Sequence, residues 1–130
     1  MHNLTSPRPT TDETVEDEIR RKGLTAPRVT PADIEAAIKQ EHYFTAADGV
    51  RGHDDTAYQN PLPSMDPSPA LNLLTFCVLV LQNGFTVTGE SACASPENFD
   101  ADVGKKIARA NAINKIWPLM GYELRSRLAA

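Results

Sequence analysis

The side chains of this chain that could take part in chemistry are concentrated between positions 85 and 115. Amine and guanidinium groups pair with phosphates, and a phenylalanine ring can stack on a base. Together with neighbouring hydroxyl and carboxamide groups, they would suit a pocket for a small anionic ligand at a subunit junction. The candidate ligand-binding residues are Phe85, Glu90, Ser91, Asn98, Phe99, Lys105, Arg109 and Lys115. The alternative is that the polar residues only shape a turn and the basic residues form a solvated helix face.

The sequence lacks the patterns that are typical of catalytic and metal sites. His53, Asp54 and Asp55 are adjacent, so their side chains point in different directions, and no second set of ligands lies at metal-binding spacing. A nucleophile at Ser91 or Cys93 would need a base, and nothing in the sequence brings a histidine to either residue. We therefore predict no catalytic residues, no metal and no cofactor, in a protein that is not an enzyme.

Length and composition restrict the class of protein further. The 130 residues are enough for about one domain, and the 41% hydrophobic and 23% charged residues are ordinary values for a globular chain. A net charge of −4 argues against nucleic acid as a partner. No apolar run is long enough to span a membrane, and the first residues do not form a signal pattern. We expect a cytoplasmic protein with no membrane partner and with reduced cysteines.

A β-hairpin is the clearest structural signal. Residues 71–82 are rich in strand formers, and Asn83-Gly84 follows at once, which predicts a type I′ turn. In the returning strand, 85–90, Phe85 and Val87 alternate with threonines, so one face should be buried and the other wet. Gly89 indicates a bulge or a close backbone approach.

A long helix is predicted after the hairpin. Asp100 is a suitable cap, and the helix should run over 101–117 and end at Pro118. Its predicted apolar stripe packs across the hairpin and contains Val103, Ile107, Ala110, Asn114 and Trp117, widened by Ile113 and Ile116. Residues 119–128 are short strand or short helix, and the pattern does not decide between the two.

The N-terminal half gives weaker signals. Residues 1–28 are predicted to be an extension that is partly helical or flexible, with one helix candidate at 12–22. Thr30 and Pro31 are a good cap and first position for a helix over 31–41, and the Pro-rich segment 46–70 is predicted to be a long loop. Residues 29–130 would then form a single α+β domain. Its predicted fold is an antiparallel hairpin or small sheet packed by the long C-terminal helix, with a short helix N-terminal to it.

Five short blocks of sequence, in order, resemble one family of small tailed-phage proteins, the gp-forty-nine/gene-sixty-six family. The similarity covers about 71–128, with a weaker likeness at 29–50. The blocks include Asn83-Gly84-Phe85 and Gly104-Lys105-Lys106, and the others lie at 89–93, 96–100 and 114–122. This resemblance implies a phage or prophage origin and, for localisation, the cytoplasm of the infected bacterial host.

The chain is also similar, more loosely, to the first type of Thoeris anti-defence proteins, phage sponges that hold cyclic nucleotide immune signals without cleaving them. This resemblance implies a homo-oligomer that sequesters a small anionic ligand such as a cyclic nucleotide, with Asn98 and Lys115 as the first candidates for ligand contact. Lysine at 115 makes a weaker phosphate contact than a bidentate arginine would. The alternative function is a protein-interaction module that inhibits or redirects a host or phage protein through the acidic N-terminal segment and the Pro-rich loop.

Overall fold

The computed structural model describes residues 11–57 and 68–130, with side chains over 13–54 and 68–130. The helices are α1 (Thr11–Arg21), α2 (Pro31–Ala37), α3 (Ala46–Ala57) and α4 (Ala101–Ala129), and the strands are β1 (Ile38–Thr45), β2 (Leu74–Leu81) and β3 (Thr86–Ala92). Short 3₁₀ turns occur at Pro69–Leu73 and Pro96–Asn98. The strands form one antiparallel sheet in the order β1-β2-β3, and α4 packs on one face of it. The predicted α+β class is confirmed.

The hairpin between β2 and β3 is confirmed, but its turn differs from the predicted type I′. Leu81 N donates to Phe85 O at 2.8 Å, and Gly84 N donates to Leu81 O at 2.9 Å, which leaves a three-residue loop at 82–84. Gly84 has a φ of +88°, whereas the φ of Asn83 is not positive. This geometry is that of a three-residue hairpin loop with glycine in the left-handed position.

The helix predicted over 31–41 ends early, because residues 38–45 form a third strand. Thr30 and Asp33 make a capping box that starts α2, with Asp33 N donating to Thr30 Oγ1 at 3.1 Å. The backbone turns extended at Ile38, and the segment through Thr45 pairs with β2. Aromatic and β-branched residues at 43–45 suit a strand, and pairing with an already buried neighbour outweighs helix propensity here.

The prediction of a loop over 46–70 is wrong for its first half, which forms α3. Thr45 and Asp48 cap this helix reciprocally: Asp48 N donates to Thr45 Oγ1 at 3.1 Å, and Thr45 N donates to Asp48 Oδ2 at 3.0 Å. Ala47 is completely buried, so α3 is anchored despite its glycines at 49 and 52. Residues 58–67 of the predicted loop lie outside the described part of the chain.

Helix α4 begins at the predicted cap and continues well beyond the predicted end. Asp100 Oδ1 accepts a hydrogen bond from Val103 N at 3.0 Å, as expected of a cap. The helix then passes through Pro118 and ends at Ala129. Proline removes one backbone hydrogen bond from a helix interior and disfavours helix there. Met120, two residues after Pro118, packs against the core and helps to hold this part of the helix in place.

The buried stripe of α4 differs from the predicted one. Four residues at four-residue spacing are fully covered, namely Gly104, Ala108, Ala112 and Ile116. Ala110 and Asn114, which were predicted for the stripe, are exposed. Small side chains let α4 approach β3 so closely that a β carbon on Gly89 would lie 2.1 Å from Ala108 O. The predicted close backbone approach at Gly89 is therefore confirmed.

The core lies between α4 and the inner face of the sheet. Cys77, Leu79 and Leu81 of β2 alternate inward, and Val87 of β3 and Ile34 of α2 join them. Phe85 does not share the buried face of Val87 as predicted, since it directly follows the hairpin loop and is 56% exposed. Both cysteines are free thiols.

Candidate ligand-binding site

A cleft of about 480 Å³ lies between the start of β3 and the C-terminal half of α4. Its lining residues are Phe85, Thr86, Val87, Thr88, Lys115, Pro118, Leu119 and Tyr122. Two of the predicted site residues, Phe85 and Lys115, are brought together here. The volume falls in the range of small-molecule sites, which is roughly 300–1,000 Å³.

The helix period and the hairpin place these side chains around the cleft. Lys115, Leu119 and Tyr122 follow the spacing of one helix face, and that face looks toward β3. Lys115 Nζ lies 3.5 Å from Thr88 Oγ1 on the neighbouring strand. Tyr122 is 79% exposed and Phe85 is 56% exposed. The cleft thus combines two accessible aromatic rings with a single charged group, the ammonium of Lys115, among its eight lining residues.

A second group of predicted residues lies at the opposite end of β3. Ser91, Asn98 and Phe99 border a depression of about 10 Å³, which has no room for a ligand within one chain. Ser91 is only 5% exposed. The stretch of α4 from its start to Lys115 rises about 22 Å, so Asn98 and Lys115 cannot both touch one small ligand bound to a single chain.

Arg109 points away from the cleft and toward α2 and β1. Its guanidinium donates to Glu35 at 2.7 and 3.1 Å and to Glu41 at 2.8 and 3.3 Å. These hydrogen bonds raise the pKa of Arg109, and they lower the pKa of Glu41, which also accepts a hydrogen bond from Tyr43. Arg109 therefore connects three elements, and its predicted contact with a ligand stays a prediction.

The remaining two predicted residues lie apart from both groups. Glu90 is exposed on the sheet face opposite α4, because its neighbours Gly89 and Ser91 point inward. Lys105 is exposed near the start of α4. Neither residue lines the cleft.

Within residues 11–57 and 68–130, no group of three or more histidine, cysteine or acidic side chains is arranged to hold a metal ion. His53 and Asp54 lie consecutively on α3, and the side chain of Asp55 is outside the described residues. Among the helices of the described ranges, none combines the length and the apolar character needed to cross a membrane.

Residues 29–128 match the model of the phage protein (N4 Gp49/phage Sf6 gene 66) family. The chain belongs to this family. The matched range covers the sheet, α2, α3 and nearly all of α4, so the cleft and the Arg109 cluster are parts of the family domain. Helix α1 precedes that range. No curated protein and no solved structure was found to match the chain.

For this member of the N4 Gp49/phage Sf6 gene 66 family, the sequence predicted two of the eight residues that line the cleft and missed the other six. Leu119 and Tyr122 were not expected to share a face with Lys115, because the helix was predicted to end at Pro118. The spacing of 115, 119 and 122 was the available signal. This spacing can be recognised as one helix face only if the helix is allowed to continue through Pro118.

Proposed function

We propose that this phage protein binds a small anionic signal, such as a cyclic nucleotide, and sequesters it in the cytoplasm of the infected host without cleaving it. The loss of the free signal would then suppress the host defence that depends on it. The observation that supports this proposal is the cleft between β3 and α4, whose lining residues include Phe85, Tyr122 and Lys115.

The chemistry of the cleft suits a nucleotide. Stacking of a base on an aromatic ring contributes roughly 1–3 kcal/mol per base and tolerates any base. The ammonium of Lys115 supplies a point charge for a phosphate, without the fixed geometry of an arginine fork. The backbone that carries both rings is already folded as a hairpin and a helix, so binding would not need to order that backbone.

The described lining of the cleft lacks the acidic, imidazole and thiol groups that usually cleave a bound ligand, and this agrees with sequestration. The eight described residues that line it include no carboxylate, imidazole or thiol. Threonine and tyrosine hydroxyls are weak nucleophiles unless a positioned base activates them. The absence of enzymatic activity remains a prediction, and the state of the released ligand tests it.

A homo-oligomer would complete the site. The cleft is open on one side, and the separation of about 22 Å between the regions of Asn98 and Lys115 requires two chains if both residues contact one ligand. In such an assembly, Asn98 of one copy would approach Lys115 of another, at the junction that the sequence predicted.

Calorimetry against cyclic nucleotides and cyclic ADP-ribose isomers tests the proposal. We expect binding by the wild-type protein, a loss of at least about tenfold for Lys115→Ala, and no change for Lys106→Ala, an exposed lysine of α4 outside the cleft. Mass spectrometry of ligand released by heating should show it intact. Failure of every compound to bind would contradict sequestration of this class of signal, and altered ligand would indicate an enzyme.

The second candidate function is a protein-interaction module that inhibits or redirects a host or phage protein. The observation that favours it is the number of exposed hydrophobic side chains on the last turns of α4, where Leu119, Tyr122 and Leu128 are each at least 41% exposed. Affinity purification from infected cells with wild-type and Leu128→Asp proteins separates the two functions. The interaction module would be supported if Leu128→Asp no longer captures the partner protein and no longer protects the phage from the host defence, while its small-molecule binding is unchanged.

A further inference from the structure

Helix α1 lies outside the family range, yet it rests on the family domain. Val15 and Ile19, four residues apart on α1, face Val29, Pro31 and Trp117 across a cavity of about 170 Å³. Trp117 itself packs against the core from α4. Helix α1 therefore covers the solvent-facing side of the core next to Trp117.

One ion pair holds α1 in place. Arg28 Nη1 donates to Glu16 Oε1 at 2.8 Å, and Arg28 Nη2 lies 2.6 Å from Glu16 Oε2. The Glu16 side chain is 13% exposed, whereas the acidic side chains of Asp17 and Glu18 are more than half exposed. Glu16 is thus turned inward, whereas Asp17 and Glu18 face solvent.

The contact is nevertheless slight. None of the described residues at 13–21 is fully buried, and Val15 remains 45% exposed while α1 is in place. An isolated helix of fewer than about 12–15 residues is only marginally stable in water. Helix α1 has 11 residues, so its folding depends on this contact, and its release exposes little surface.

We propose that α1 is a displaceable cap, and that the groove beneath it, formed by Arg28, Val29, Pro31 and Trp117, is a docking site for an acidic amphipathic helix. Helix α1 itself shows which side chains fit the groove. They are two apolar side chains one turn apart, Val15 and Ile19, with the carboxylate of Glu16 beside the first. A helix of another protein with this pattern would compete with α1 and gain the same ion pair with Arg28.

Fluorescence of the full chain tests whether α1 is a cap, because Trp117 is the only tryptophan. Ile19→Asp places a charge against the apolar groove and should shift Trp117 emission to longer wavelength and increase its quenching by acrylamide. The matched control is Glu18→Gln, which changes an exposed acid on the same helix. Glu16→Gln, a milder change, should give an intermediate shift. Identical emission and quenching for the wild type, Ile19→Asp and Glu16→Gln would overturn the proposal.

Binding in trans tests the docking site. A fluorescein-labelled peptide of residues 11–22 should bind the Ile19→Asp chain at least about tenfold more tightly than the wild-type chain, whose groove is filled. The same peptide carrying Ile19→Asp should not bind. Equal affinity for both chains, or binding to neither, would overturn the proposal. Thermal unfolding of each variant confirms that the family domain remains folded during the measurements.

Discussion

Arg109 and Glu41 lie 68 residues apart in sequence and meet at 2.8 Å, with the Arg109 Nε–H donating to Glu41 Oε1. Glu35 receives two further hydrogen bonds from the same guanidinium, so one side chain of α4 holds α2 and β1 together. The Arg109 side chain is 27% exposed, which limits solvent screening of this cluster. The cluster therefore joins the N-terminal elements of the domain to its C-terminal helix.

We expect Arg109→Ala to lower the free energy of unfolding by about 1–2 kcal/mol, because two carboxylates would lose their shared partner. Urea denaturation measures the change, and Arg125→Ala, an exposed arginine near the end of α4, is the control. Ligand affinity measured in parallel tests the earlier prediction for Arg109. A protein of unchanged stability that has lost ligand binding would show that the guanidinium serves the ligand.

Gly89→Ala should destabilise the protein by about 1–3 kcal/mol or more, since the added carbon overlaps backbone atoms that cannot move aside as a side chain would. The atoms concerned are Ala108 O at 2.1 Å and Ala112 N at 2.3 Å. Gly121→Ala is the matched control. Nothing lies within 4 Å of its β carbon, so alanine there should stabilise the helix by up to about 1 kcal/mol. Equal thermal midpoints for the two variants would refute the close packing.

Tyr122→Ala should weaken nucleotide binding by about 1–3 kcal/mol, whereas Tyr122→Phe should retain most of the affinity because the ring persists. The side chain is 79% exposed, so both variants should unfold at nearly the wild-type temperature. Calorimetry and a thermal scan make the comparison. If Phe and Ala weaken binding equally, the hydroxyl rather than the ring contacts the ligand.

If the ligand binds at the junction between two subunits, two variants that are each inactive should restore binding when their subunits are mixed. Asn98→Ala and Lys115→Ala should each lose binding alone, but random mixing after dissociation should restore about a quarter of the junctions, those in which both side chains are intact. Titration of the mixed oligomer counts the sites. Absence of any restored site in a mixture shown to exchange subunits would place both residues outside a shared junction.

Acid should release α1. The hydrogen bond from Arg28 lowers the pKa of Glu16 below its ordinary value of 4.5, and the charge of Arg20 acts in the same direction. The ion pair therefore stabilises the docked helix above pH 4.5, and this contribution is lost as the pH falls through the lowered pKa. Trp117 emission should shift to longer wavelength in that range. In Glu16→Gln the transition should be absent, although Asp33 and Glu41 still titrate in the domain.

The sequence contained most of the information for elements whose signals are local. The turn glycine at 84, the caps at Thr30 and Asp100 and the apolar run of β2 are decided within a few residues. Strand β1 could not be recognised in this way, because residues 38–45 become a strand only by pairing with β2. Helix α3 had a local signal in the Thr45–Asp48 box, which its two glycines obscured.

The candidate site was predictable only in part, for a related reason. Phe85 and Lys115 were identified by residue type, but their proximity depends on α4 running antiparallel to β3 at close range. Pro118 concealed the last third of α4 and with it Tyr122. Arg109 shows the converse: its residue type suggested a phosphate, and its partners Glu35 and Glu41 come from elements that the sequence did not place beside it.

The contact of Gly89 with Ala108 also bears on how this protein can diversify. Backbone atoms set the spacing between β3 and α4 there, so the frame of the cleft does not depend on the side chains that line it. Mutations at Phe85, Lys115 or Tyr122 can accumulate without disturbing that frame. Under the proposed function, a phage lineage that meets a different host signal could therefore change the specificity of the cleft while the scaffold stays the same.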